Sequence, residues 1–216
     1  MKFRRLIFIL IIIFQFLSCA SSPKQNKTIL NGIIYNADNE PVSGAKIYID
    51  QEQQCISDIY GHFYISGLKL NHSYNLSIIK EEYEKADITF DYLNESQVIY
   101  VKITSFQQLL NYAEKEIKRK NYSKAEEYLS RANTIYENNY SFLYLKAINH
   151  YSKSEFEPAI TILENLLENK KEPYVYLLLA DCYQYGLNDL ETAKKYLKLF
   201  LDTEFSPKIK QRYDSL

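Results

Sequence analysis

The chain has 216 residues, 46% of them hydrophobic and 25% charged, a balance that excludes wholesale disorder and leaves room for one sizeable core or two small ones. The formal net charge is −1; residues 29–104 hold 5 Lys against 11 Asp or Glu, and residues 105–216 hold 16 charges of each sign, so neither half has the basic stripe that tracks a nucleic acid backbone. Tyrosine is abundant at 21, whereas 5 Gly cannot supply a phosphate-cradling loop or a dinucleotide fingerprint.

Met1 to Arg5 carries three positive charges, Leu6 to Leu17 is an apolar run interrupted only by Gln15, and Ser18-Cys19 follows. This run of 12 residues suits a signal peptide and falls short of the roughly 20 that span a bilayer as a permanent helix. Phe16-Leu17-Ser18-Cys19 resembles the lipobox of bacterial lipoproteins, with Phe16 where Leu is commoner. The resemblance implies that residues 1–18 are removed and that Cys19 takes a diacylglycerol through its thiol. Loss of Lys2, Arg4 and Arg5 would bring the net charge from −1 to −4. More than one acyl chain gives stable anchoring, and the polar residues 19–28 then form a flexible tether. The implied location is the bacterial cell envelope, lipid-anchored, with the outer membrane favoured because no Asp follows Cys19.

Residues 29–104 show short apolar stretches with period-two alternation, separated by turn-forming residues, the pattern of an all-β sandwich. Ile29 to Tyr35 forms the first strand and Asn36 to Pro41 a turn; further strands centre on Ala45, Ile47 and Ile49, on Phe63 and Ile65, on Tyr74, Leu76 and Ile78, on Ile88 and Phe90, and on Ile99, Val101 and Ile103. Gly32-Ile33-Ile34-Tyr35, Pro41-Val42-Ser43-Gly44-Ala45 and Ser57-Asp58-Ile59-Tyr60-Gly61-His62-Phe63 together resemble the carboxypeptidase-regulatory-like, or transthyretin-like, domain. That resemblance implies a prealbumin-like sandwich used for structure or interaction, with Gly44 and Gly61 in tight or left-handed backbone and Phe63 between the sheets. The family's later Gly-Tyr pair stands here as Glu82-Tyr83.

Residues 105–216 carry an internal period. Ala125, Ala159 and Ala193 recur at intervals of 34, each with a large apolar residue four positions later, Leu129, Leu163 and Leu197, and a bulky residue three before, Tyr122, Phe156 and Leu190. Ala113, Ala147 and Ala180 mark the preceding helices, where two helices must approach closely. These positions resemble the tetratricopeptide repeat, whose period is 34, and imply an all-α solenoid of about three helical hairpins. The fold class is therefore α+β in two domains, with a sandwich before the repeats. Ala180 to Ala193 spans 13 positions where the earlier pairs span 12, which predicts a longer inter-helix turn near Gly186 to Asp189. Pro158, Pro173 and Pro207 suit first turns of helices, and residues 207–216 a short cap.

Stacked hairpins leave a concave face lined by the first helix of each pair. The resemblance places Glu114 and Lys118, then Tyr144, Ile148 and Tyr151, then Leu177, Asp181 and Gln184 on that face, spaced by three or four within each helix. These are the candidate partner-binding residues, and the expected partner is a protein or extended peptide of the envelope. His62, His72 and His150 belong to no metal motif, Cys55 and Cys182 are expected to be unpaired, and no nucleophile elbow or paired acid and base stands out. No metal, cofactor or catalysis is expected. Two readings follow: an anchored adaptor working through the repeats, or a glycan- or peptidoglycan-binding lipoprotein using exposed sandwich aromatics such as Tyr48, Tyr60 and Tyr64.

Overall fold

A computed structural model describes residues 28–216; the signal segment, Cys19 and the tether up to Lys27 lie outside the described residues. Seven strands come first: β1 (Ile29–Tyr35), β2 (Lys46–Ile49), β3 (Glu52–Ile56), β4 (His62–Ser66), β5 (His72–Ile79), β6 (Ala86–Tyr92) and β7 (Val98–Lys102). They form a three-stranded sheet in the order β4-β1-β7 and a four-stranded sheet in the order β3-β2-β5-β6. The alternation places Leu30, Ile34, Phe63, Ile65 and Val101 opposite Ile47, Ile49, Leu76, Ile78 and Tyr92, all buried in one core. On its other side the four-stranded sheet is polar. There Ser73 donates to Asp91, Thr89 to Asn75 and Ser77 to Asp87 across β5 and β6, which keeps that face compatible with water.

The turn residues earn their places by specific bonds. Ser57 Oγ donates to the Val42 carbonyl at 2.8 Å and accepts the Ala45 amide at 2.9 Å, locking the entry to β2. Asp58 Oδ1 accepts the amides of Tyr60 and His62, and Gly61 closes the turn at φ +77°, where a side chain would meet the Ile34 carbonyl. Gly32 faces Phe63 directly in the β1–β4 register, and the Phe63 ring covers it so closely that an added Cβ would lie 2.0 Å from Cζ. The expected strand list omits β3. Its sequence, Glu-Gln-Gln-Cys-Ile, turns only Cys55 toward the core, so no apolar alternation marks it. What makes it a strand is the two-residue hairpin at Asp50-Gln51, with φ +48° and +75°, which carries β2 back antiparallel without a glycine.

Seven helices follow: α1 (Phe106–Lys118), α2 (Tyr122–Ile135), α3 (Tyr140–Ser152), α4 (Phe156–Asn169), α5 (Pro173–Asp181), α6 (Leu190–Thr203) and α7 (Pro207–Ser215). They form tetratricopeptide-like hairpins. Ala113, Ala125, Ala147, Ala159, Ala180 and Ala193 are each fully buried, because a larger side chain would hold the paired helices apart. Leu129, Leu163 and Leu197 fill the space beside them, whereas Leu190, the third of the bulky set, is 44% exposed. Pro173 and Pro207, 34 residues apart, each open a helix, so α7 stands where the first helix of a fourth repeat would stand.

The extra residue of the third repeat is not in a longer turn. Each loop inside a hairpin has three residues, 119–121, 153–155 and 187–189. The insertion is absorbed instead by one π-helical turn, Cys182–Gly186, that continues α5. Gly186 permits it, since a Cβ there would lie 2.3 Å from the Phe156 ring. Keeping the loop length fixed preserves the hairpin geometry, and the surplus appears as a widened turn.

No linker separates the two halves. Ser105 bridges to Tyr83 in the loop before β6 and also caps α1 in a capping box with Gln108. The Glu84 carboxylate receives the Arg131 guanidinium on two atoms, at 2.9 and 2.8 Å, with the Thr104 hydroxyl beside it. Asp38 accepts from Gln108 and from the Tyr112 hydroxyl, and Phe106 packs edge-on against Tyr136. The Arg131 hydrogen bond holds Glu84 below the usual carboxylate range, against a smaller upward push from burial. A depressed carboxylate contributes stability that is full above its unfolded pKa of about 4.3 and is lost as pH falls through the folded value. Arg131→Ala is therefore expected to cost about 1–2 kcal/mol at pH 7, between exposed and buried charge-assisted bonds. Urea titrations should show that difference shrinking at pH 3.

Candidate partner-binding groove

The first helices of successive hairpins, α1, α3 and α5, meet along one side and leave a cleft of about 260 Å³ lined by Leu110, Asn111, Glu114, Tyr140, Tyr144, Leu145, Ile148 and Tyr174 among others. Helical spacing puts Leu110 and Glu114 on one stripe of α1 and Tyr144 and Ile148 on one stripe of α3. Tyr174 enters from the start of α5 and meets Tyr144 edge-on at 4.6 Å between centroids, with Tyr140 edge-on at 6.5 Å. Burial, reinforced by Tyr174 and Asp181, pushes the Tyr144 phenol up to about 12, so it stays a neutral donor across the physiological range. Burial raises Tyr140 as well, with the neighbouring Tyr174 hydroxyl adding to the push. The cleft is an aromatic slot with one acidic wall, Glu114, whose carboxylate is paired with Lys118 at 2.5 Å.

The residues expected on the concave face thus divide. Glu114, Tyr144 and Ile148 line the cleft, and Lys118 flanks it through Glu114. Tyr151 packs edge-on against Phe156 at 5.8 Å, and Leu177 is half-buried on α5. Asp181 and Gln184 lie farther along the same side, where Arg212 of α7 binds both. Of the expected face, the aromatic part thus lines an open cleft, and the polar part, Asp181 and Gln184, is bonded to the chain's own Arg212. Sequence reasoning missed Tyr140, Tyr174 and Arg212. Tyr140 and Tyr174 did carry a signal, being 34 residues apart at the starts of α3 and α5.

The sandwich aromatics also divide. Tyr64 and Tyr100 stand on the outer face of the three-stranded sheet, either side of Asn31 and Ile33, with His62 beside them and Tyr60 in the adjoining turn. Tyr60, Tyr64 and Tyr100 are 64%, 57% and 67% exposed. Tyr48 lies on the other sheet, bonded to Gln53, and does not share that face. Cys55 and Cys182 are unpaired, Cys182 fully buried with its thiol pushed up by burial to about 12. Among the described residues no cluster of three or more His, Cys, Asp or Glu is arranged to hold a metal, and no helix is long and apolar enough to cross a membrane.

No protein-family model matches the sequence, and no curated protein matches it. Among solved structures the chain is similar to the N-terminal domain of stress-induced protein-1 from C. elegans, at 16% identity over 51% of this chain and 92% of that one, with a TM-score of 0.44. It is also similar to the Yersinia enterocolitica type III secretion translocator chaperone SycD, at 18% identity over 51% of this chain and 85% of that one, TM-score 0.43. SycD in complex with a peptide of the translocator YopD gives 18% identity over 50% and 86%, with a TM-score of 0.43.

Proposed function

We propose that this protein is a lipid-anchored adaptor of the bacterial cell envelope that works by binding rather than by catalysis. Cys19 holds it at a membrane, the tether and sandwich carry the repeats away from that surface, and the cleft between α1, α3 and α5 receives an extended segment of a partner protein. The observation that carries this reading is the slot formed by Tyr140, Tyr144 and Tyr174 over Leu110 and Ile148. Two-dihedral aromatic side chains bury large area at small entropy cost, and such residues dominate the energetics of protein contacts.

A photo-crosslinking amino acid at Ser141, on the rim of the cleft, should capture a discrete partner in the membrane fraction. Tyr144→Ala with Tyr174→Ala should lower that capture at least tenfold, since loss of each anchor costs about 1 kcal/mol or more. Cys19→Ser should shift both protein and adduct to the soluble fraction. Capture that persists without the two rings would overturn the reading.

A second reading, glycan binding, is favoured by the exposed rings of Tyr60, Tyr64 and Tyr100 beside His62 and Asn31 on one sheet face. Stacking on neutral sugar rings needs such open faces with amide and imidazole groups alongside. Retention of the full chain on purified peptidoglycan, lost in Tyr64→Ala with Tyr100→Ala, would support it. Equal retention by that variant would sink it.

A further inference from the structure

We propose that the far end of the groove is an arginine-binding site, which the chain's own α7 fills with Arg212 until an arginine-bearing segment of a partner displaces that helix. The proposal rests on the groove being a peptide-binding face and adds the chemistry of what enters its polar half. Arg212 Nη1 lies 2.7 Å from Asp181 Oδ1, and Nε and Nη2 lie 2.8 and 2.5 Å from Gln184 Oε1. The guanidinium also sits 5.2 Å over the Tyr185 ring, and the Tyr151 phenol lies within its field. A carboxylate and an amide oxygen side by side with an aromatic face match the planar fork of arginine, whereas a lysine ammonium has donors enough but neither the fork nor a flat face to lay on the ring.

Helix α7 has no buried residue, and its other ring contacts are Lys194 and Lys210 against Tyr213, each at 5.1 Å. Its packed face, Ile209, Tyr213 and Leu216 beside Arg212, is only half-buried, and such a helix opens at smaller cost than one with a fully buried stripe. Tyr185 is already 63% exposed, and Glu204–Ser206 joins α7 to α6 with Phe205 at 78% exposure, so no packed apolar contact at Phe205 resists its swing. Once α7 leaves, Asp181 loses its cation, and the groove then offers an aromatic slot followed by an acidic, arginine-shaped end. An entering segment fits when it carries an aromatic or apolar residue for Tyr144 and Tyr174 and an arginine for Asp181 and Gln184.

The test uses the full chain and a labelled peptide with the sequence of residues 207–216, read by fluorescence anisotropy. Arg212→Ala should bind that peptide at least tenfold more tightly than the unaltered chain, because the site is vacated. Arg212→Lys, which keeps the charge and loses the fork, should lie between the two and serves as the check if the alanine variant loses its circular dichroism. Adding Asp181→Asn, or replacing the peptide's arginine by alanine, should abolish binding. Equal affinity for all three chains, no binding to either variant, or binding that survives Asp181→Asn would overturn the arginine site. Capture at Ser141 that still depends on Tyr144 and Tyr174 would then leave the peptide-binding groove standing, which separates the two failures.

Discussion

Phe63→Ala is expected to lower the stability of the sandwich by about 3–5 kcal/mol, the range for deleting a buried aromatic whose site cannot collapse. Phe63 is 1% exposed and does two things at once: it fills the space between the sheets and it roofs the backbone at Gly32. Removing the ring opens a cavity beside a residue that has no side chain to move into it. The reciprocal change, Gly32→Ala, puts a Cβ where the ring stands and should cost about 1–3 kcal/mol through strain. Because the two positions touch, Gly32→Ala combined with Phe63→Leu should cost less than the separate losses added together. Urea titration with amide exchange in β1 and β4 as the readout would measure this, and strict additivity would show that Gly32 and Phe63 do not share a space.

In the repeats, Ala125→Leu is expected to cost about 1–3 kcal/mol, while Lys124→Leu, one residue away in α2, should stay within about 0.5 kcal/mol. Ala125 is fully buried at the crossing of α1 and α2, and Lys124 is exposed. A leucine at the crossing has to push the helices apart or leave its rotamer, and either choice propagates to the next hairpin. Thermal melts followed by helical circular dichroism distinguish the pair. Similar melting temperatures for the two variants would mean that the recurring alanines do not mark close helix contacts.

What the sequence made legible depended on whether a feature leaves a periodic mark. The alanines at 113, 125, 147, 159, 180 and 193 do, because close packing repeats with the hairpin, and all six are buried. The alternating strands do as well. Strand β3 leaves none, since it is a polar edge strand set by the backbone of Asp50-Gln51, and positive φ at Asp and Gln is not written in apolar pattern. The insertion before Leu190 was visible as a count, yet a count does not say whether a loop lengthens or a helix widens; contact between Gly186 and Phe156 decides it. At the groove, spacing on one helix placed Glu114, Tyr144 and Ile148 together. Spacing was silent on Arg212, because its partnership with Asp181 and Gln184 joins helices 28 or more residues apart in the chain. Docking of the two halves through Glu84 and Arg131 was equally hidden, for pairing at a separation of 47 residues has no local sequence trace.

Strand β1 lies in the middle of its sheet, antiparallel to β4 on one side and parallel to β7 on the other. A chain emerging from its N-terminus therefore presents β1 long before its neighbour at Val98–Lys102 exists, and the sheet cannot close until about 70 further residues have appeared. The helical hairpins pair with what has just preceded them and can form as they emerge. During synthesis the early part of this protein thus waits for its neighbouring strand, while the later part is assembled turn by turn.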